Sequence, residues 1–292
     1  MRRVAEAEVT VPNGSWWGGA CHREARVRSI EEGEDLEAEL NPALLPIEQT
    51  TAVLARCVTQ LAGRDCAGAD AFRDLSMGDR EALLLHVRRM TFGERIDCLL
   101  SCPACAERMD FQLDSKGLIV SAAEPPQHQY DEEFLLEGIR FRVKFRVPTG
   151  GDVETSVRSA GCVPDAAVRA LVIRCVEWVH RQTEQGEGDV AVPAAEWPAS
   201  LVAQLSTRMA ELDPQAEIKL QLECPMCGHE FAAFFDTSDF FFRELREREQ
   251  RLYEEVHQLA LSYHWSEADI LRMTPRKRKL YLDLLAGGGI HE

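Results

Sequence analysis

Two short motifs hold the chemistry this sequence can do: Cys102-Pro103-Ala104-Cys105 and Cys224-Pro225-Met226-Cys227. Two cysteines separated by two residues present a pair of thiolates on one tight turn. Two such turns supply four soft donors, the set that Zn²⁺ takes in tetrahedral structural sites. The expectation is one structural zinc held by Cys102, Cys105, Cys224 and Cys227. A thiol redox pair uses the same spacing, with its first thiol acidified at a helix N-terminus. Here each motif precedes an alternating apolar and polar run, Met109-Asp110-Phe111-Gln112-Leu113 and His229-Glu230-Phe231, which reads as strand. Unligated thiols are the third possibility. Gly228 after the second motif suits a turn that needs positive φ, whereas Ala106 after the first does not. His229 is a bystander in this reading, because four cysteines already fill the tetrahedron.

Such a site needs strands that enter and leave each turn. Residues 96–114 and 216–236 are expected to form a zinc ribbon. Its halves lie more than a hundred residues apart, so residues 115–215 become an inserted α+β module. The expected fold class is α+β, with a helical N-terminal region over 26–95 and a helical C-terminal tail over 237–292. Residues 1–25, with Trp16 and Trp17, read as a flexible arm or hairpin.

Local signals fill in this frame. The acidic run Glu31 to Glu37 reads as a solvated helix start, and Pro46 opens an apolar helix with Cys57 on its buried side. Ser76 caps a helix that Gly93 ends. Residues 134–147 make a hairpin whose basic stripe, Arg140, Arg142, Lys144 and Arg146, faces Asp131, Glu132 and Glu133. Helices are expected over 166–180 and 199–212, with an acidic loop over 182–196 between them. Asp236 or Ser238 caps a long helix. Breaks follow at Trp265-Ser266 and at Thr274-Pro275. The tail carries more aromatic surface than one helix face buries, which marks Phe240, Phe242, Trp265 and Tyr281 as anchors for a protein partner.

The chain has 292 residues and a formal net charge of −16. That charge opposes nucleic-acid binding, which runs on Lys and Arg displacing counterions from phosphate. The one dense basic run, Arg276 to Lys279, reads as a solvated helix face. No apolar run reaches membrane-span length, and the N-terminus lacks the apolar stretch of a signal peptide, so a cytoplasmic protein is expected. There is no phosphate loop, no His-Glu-x-x-His and no Gly-x-Ser-x-Gly, and a four-thiolate metal has no open position for water. The expectation is a protein that is not an enzyme.

The order of the pieces resembles a known family. Leu83-Leu84-Leu85-His86-Val87-Arg88-Arg89-Met90-Thr91-Phe92-Gly93 runs into the first motif. The second motif is followed by Phe240-Phe241-Phe242-Arg243-Glu244 and then by Tyr263-His264-Trp265-Ser266-Glu267-Ala268-Asp269-Ile270-Leu271. This series is similar to the T4-type baseplate proteins, the baseplate hub assembly chaperones of phages and of phage-derived contractile injection systems. The resemblance implies an assembly role with a baseplate, hub or spike protein as partner. The competing classes are a zinc-ribbon regulator that binds nucleic acid and a thiol redox protein.

Overall fold

The computed structural model describes residues 5–287, apart from 33, 35, 37–38, 66–67, 121–123, 161–162 and 183–188. It is a mixed structure of helices and strands. Strands β1 (Glu6–Trp17) and β2 (Ala20–Arg28) pair antiparallel. Helix α1 (Pro46–Cys57) follows, and β3 (Val58–Leu61) and β4 (Arg64–Asp65) complete a sheet in the order β1-β2-β3-β4. Val9, Val11, Ala25 and Val27 all point into the first core. Residues 6–28 therefore form the hairpin, one of the two expected forms, and it is packed on the first core. The described part of the acidic run is not helical. Instead Glu34 spans Arg28 and Arg56 (2.7 and 3.3 Å), and Leu36 is buried.

After the single turn α2 (Asp70–Arg73) comes α3 (Met77–Phe92), the spine of the molecule. Ser76 accepts from the Asp79 amide as expected, and Gly93 closes the helix at φ 95°. Leu83, Leu84 and Val87 face the first core, while Leu85 faces a second one beneath the cysteines. Arg88 forks onto Glu244 (2.9 and 2.6 Å).

The hairpin of β5 (Arg95–Ser101) and β6 (Arg108–Asp114) leads into the inserted module. That module starts with β7 (Tyr130–Leu136) and β8 (Ile139–Phe145), then α4 (Gly150–Ala160) and α5 (Pro164–Cys175). Strands β9 (Val176–Gln182) and β10 (Asp189–Ala191) extend the sheet to the order β10-β9-β8-β7. Helix α6 (Ala199–Leu212) packs on it through Leu201, Leu205 and Met209. The helix expected to reach His180 thus ends at Cys175. Val176, Trp178 and Val179 favour strand, and β8 offers an edge whose ladder bonds replace further helical turns. Of the expected acidic loop, residues 183–188 lie outside the described residues.

Strands β11 (Ile218–Glu223) and β12 (Glu230–Phe235) form a separate hairpin. Asp236 caps the 27-residue α7 (Thr237–Tyr263), and α8 (Glu267–Leu271) and α9 (Pro275–Leu285) fold back on it. Leu252, Val256, Leu259 and Ile270 form a small core closed by Tyr263, Trp265 and Tyr281. Two expectations are corrected here. Phe242 is buried with Phe241 and Leu245 in the first core and has no surface to offer a partner. The first turns of the stretch from 237 thus complete that core. Arg278 is not solvated: it is buried against Glu255 (2.9 Å), the Met273 carbonyl (2.9 Å) and Glu32.

A buried polar junction ties the module to the spine. Asp79 accepts the Asn13 and Gly14 amides, both at 2.7 Å. The Asn13 side-chain amide donates to Ser76 (2.9 Å) and to Asp213 (2.7 Å), and Asp213 accepts the Gly78 amide (2.8 Å). Burial pushes the Asp79 carboxyl up to about 7, against the pull of the Asn13 amide and with Asp213 adding to the rise. A Cβ on Gly78 would lie 1.9 Å from Oδ1 of Asp213. Gly78→Ala should therefore break the junction and cost on the order of 2–4 kcal/mol in denaturant unfolding. Gly117→Ala, which meets open space, should stay within about 0.5 kcal/mol of wild type. Equal stability of the two variants would contradict this role for the junction.

Candidate metal centre

The two hairpins build the site from below. On β5–β6 the inward side chains are Ile96, Cys98, Phe111 and Leu113, and on β11–β12 they are Ile218, Leu220 and Phe235. Period-two alternation puts these residues on one face of each hairpin, so the faces close on each other with Leu85 and Leu118 filling the base. Nearer the tip, Met109, Phe111, Leu222 and Phe231 pack beneath Cys102 and Cys224. The hairpins are two separate two-stranded sheets.

The turns at the two tips match. The Cys102 amide donates to the Glu107 carbonyl (2.8 Å), and the Ala106 amide to the Cys102 carbonyl (2.9 Å). In the second turn the Cys224 amide donates to His229 (2.9 Å) and the Gly228 amide to Cys224 (2.8 Å). Gly228 sits at φ 69° and Ala106 at φ 60°. Ala106 thus takes the same left-handed conformation, at a cost of about 1 kcal/mol that glycine avoids. The surrounding turn imposes that conformation, so the two half-sites share one backbone form although Ala106 does not suit it.

All four sulfurs lie within 4.8 Å of one another. Cys102 Sγ is 3.8 Å from Cys227 Sγ, and Cys105 Sγ is 3.7 Å from Cys224 Sγ. A tetrahedron with metal–sulfur bonds of about 2.3 Å has edges of about 3.8 Å, so the donor set fits a four-coordinate metal. Cys102 and Cys224 are buried, while Cys105 and Cys227 face solvent. Burial works to raise the Cys102 thiol, but the Cys105 and Ala104 amides outweigh it and bring it down to about 7. At Cys105 the Glu107 amide favours the thiolate, yet the Cys227, Cys102 and Cys224 thiols prevail and push it up to about 12. Four thiols this close share protons, and a cation is what lets all of them ionise. His229 stacks on Phe231 at 6.0 Å and takes no part in the cluster.

The remaining expected site residues are engaged elsewhere. Phe240 stacks on Phe235 (4.8 Å) under the Arg243 guanidinium (4.3 Å). Trp265 stacks on Tyr263 (4.6 Å) and meets the edge of Tyr281 (4.8 Å). Tyr263, Trp265 and Tyr281 close the small carboxy-terminal core, while Phe240 packs on the core beneath the cysteines. The basic stripe is paired throughout: Arg140 with Glu133, Arg142 with Asp131, Lys144 with Glu177 and Arg146 with Asp152. Glu132 binds Arg208 instead. The junction of Asn13, Asp79 and Asp213 had no signal in the sequence, since its members lie up to 200 positions apart.

A family model described as T4 bacteriophage base plate protein matches residues 38–242. That span holds both cysteine turns and the whole inserted module, and it ends just inside α7. No curated protein and no solved structure matches the chain.

The thiols away from the site should be inert. Burial pushes Cys57 up to about 12, and burial with help from Asp152 does the same to Cys175. In metal-stripped protein at pH 7.5, a thiol reagent should enter the four-cysteine cluster first, through Cys102, whose thiol is brought down to about 7, with buried Cys57 and Cys175 slower by about a thousandfold. Replacing either buried thiol by Ala should cost on the order of 1 kcal/mol. Comparable labelling rates at Cys57 or Cys175 would contradict this and revive the redox reading.

Proposed function

The chain belongs to the T4 bacteriophage base plate protein family, and on that premise we propose that it is a non-enzymatic assembly factor or minor structural component of a phage-like tail baseplate. A structural zinc on Cys102, Cys105, Cys224 and Cys227 holds its fold. The family match carries the first part. The sulfur geometry supports the second, because four thiolates that close a tetrahedron leave no position for water or substrate. Iron also accepts four sulfurs, but it would colour the protein and cycle between oxidation states, whereas zinc does neither.

The protein's partner in this reading is a baseplate, hub or spike protein, met in the cytoplasm during assembly. Among the described residues no helix is long and apolar enough to cross a membrane. The net charge of −16 and the paired basic stripe weigh against the nucleic-acid regulator. Strands, not helices, follow both cysteine turns, which removes the helix-terminus acidification that a redox thiol uses.

Deletion of the gene in a host that makes the particle provides the test. Electron microscopy should show tails without complete baseplates. The intact chain should restore them, and a chain with Cys102→Ser and Cys224→Ser should not. Normal baseplates in the deletion would contradict the assembly role. Mass spectrometry of purified particles separates a retained component from a factor that leaves.

A further inference from the structure

We propose that the four-cysteine cluster is also an oxidation site, at which a peroxide joins Cys102 to Cys227 and Cys105 to Cys224 as disulfides that hold the hairpins together once the metal has left. The inference deepens the metal-site reading above and rests on it. Each pair takes one sulfur from each hairpin. Cys102 Sγ lies 3.8 Å from Cys227 Sγ, and Cys105 Sγ lies 3.7 Å from Cys224 Sγ. Each pair also joins a buried sulfur to an exposed one, since Cys102 and Cys224 are buried while Cys105 and Cys227 face solvent. An oxidant from solvent therefore reaches one member of each pair, and the other member stands next to it.

A disulfide brings its sulfurs to about 2.05 Å, so each pair must close by about 1.7 Å. What can move decides which bonds form. Each turn is fixed by its own backbone, through the Cys102 amide to Glu107 and the Ala106 amide to Cys102 in one, and the Cys224 amide to His229 and the Gly228 amide to Cys224 in the other. Drawing the two sulfurs of one turn together strains those hydrogen bonds. The hairpins, in contrast, share no strand ladder. Side chains join them beneath the sulfurs, Met109 and Phe111 from one and Leu222 and Phe231 from the other, so they can approach without breaking a backbone hydrogen bond. Bonds inside the turns would also leave the hairpins unlinked. Bonds between them close the same long loop that the metal closes.

In the metal-bound cluster all four sulfurs are thiolates, so exposure decides which one meets the oxidant. The Cys227 thiolate attacks one peroxide oxygen, forming an S–O bond as the O–O bond breaks, and hydroxide leaves. The Cys102 thiolate then attacks the resulting sulfenic sulfur and displaces a second hydroxide. The sulfur pair loses two electrons and the peroxide gains them. Cys105 and Cys224 repeat the sequence with a second peroxide, and the metal, left without thiolates, dissociates. Thiols elsewhere compete poorly: Cys57, Cys98 and Cys175 are buried, and Cys21 donates to the Asn13 carbonyl (3.0 Å). A reducing compartment favours the metal form and an oxidising one the disulfide form, so the closure persists in both.

The test treats the full-length, zinc-loaded protein with hydrogen peroxide, follows zinc release with a chromophoric chelator and maps disulfides by mass spectrometry without reduction. Zinc release should accompany the bonds from Cys102 to Cys227 and from Cys105 to Cys224. The oxidised protein should melt about 10 °C or more above the same protein stripped of metal and kept reduced. Dithiothreitol with added zinc should restore the thiols and the metal. In a Cys105→Ser variant the bond should join Cys102 to Cys227, not Cys224 to Cys227. Bonds within either turn, sulfinic or sulfonic acids without a disulfide, or an oxidised protein that melts no higher than the stripped one would overturn the inference. If zinc is present but the bonds form within the turns, the metal reading stands and the cross-hairpin inference fails. If the purified protein carries no zinc, the metal reading fails by itself, and the same mapping on the metal-free protein decides the pairing.

Discussion

Two cysteine turns separated by more than a hundred residues must meet tip to tip, and most of the architecture answers to that constraint. Closing a loop of this length costs about 4 kcal/mol of chain entropy. Zinc binding to four thiolates contributes on the order of 10 kcal/mol or more to folding, so a metal can hold the closure with a margin. A metal there would not act alone. The apolar faces of β5–β6 and β11–β12 already press the hairpins together, and the sulfurs lie at tetrahedral spacing above them.

The inserted module must therefore leave and return at nearly the same place. Helix α3 makes this possible, because it touches the first core, the base of the hairpins and the end of the module. The Asn13, Asp79 and Asp213 junction fixes that last contact. It buries two carboxylates, and each one is bonded to backbone amides, which is the condition under which buried carboxylates are tolerated. Stability here comes less from the junction's net energy than from the cost of leaving any member unpaired.

Much of this was legible in the sequence, for local reasons. The cysteine spacing, the caps at Ser76, Asp236 and Thr274, and the alternation in β7–β8 are decided within a few residues of where they occur. What was not legible depends on distant neighbours. Val176 to Gln182 becomes strand because β8 lies beside it. Phe242 is core and not surface because α3 and the first sheet surround it. Arg278 looked like part of a solvated basic run until Glu32, far away in sequence, closed over it. The same distance hid the Asn13 junction. Ala106 shows the converse, a residue whose type argues against its conformation and whose turn overrides it.

The most direct measurement is X-ray absorption at the zinc edge on the purified protein, combined with metal analysis. The account predicts one zinc per chain with a first shell of four sulfurs at about 2.3 Å. A protein without zinc, or a zinc shell containing nitrogen or oxygen donors, would contradict it.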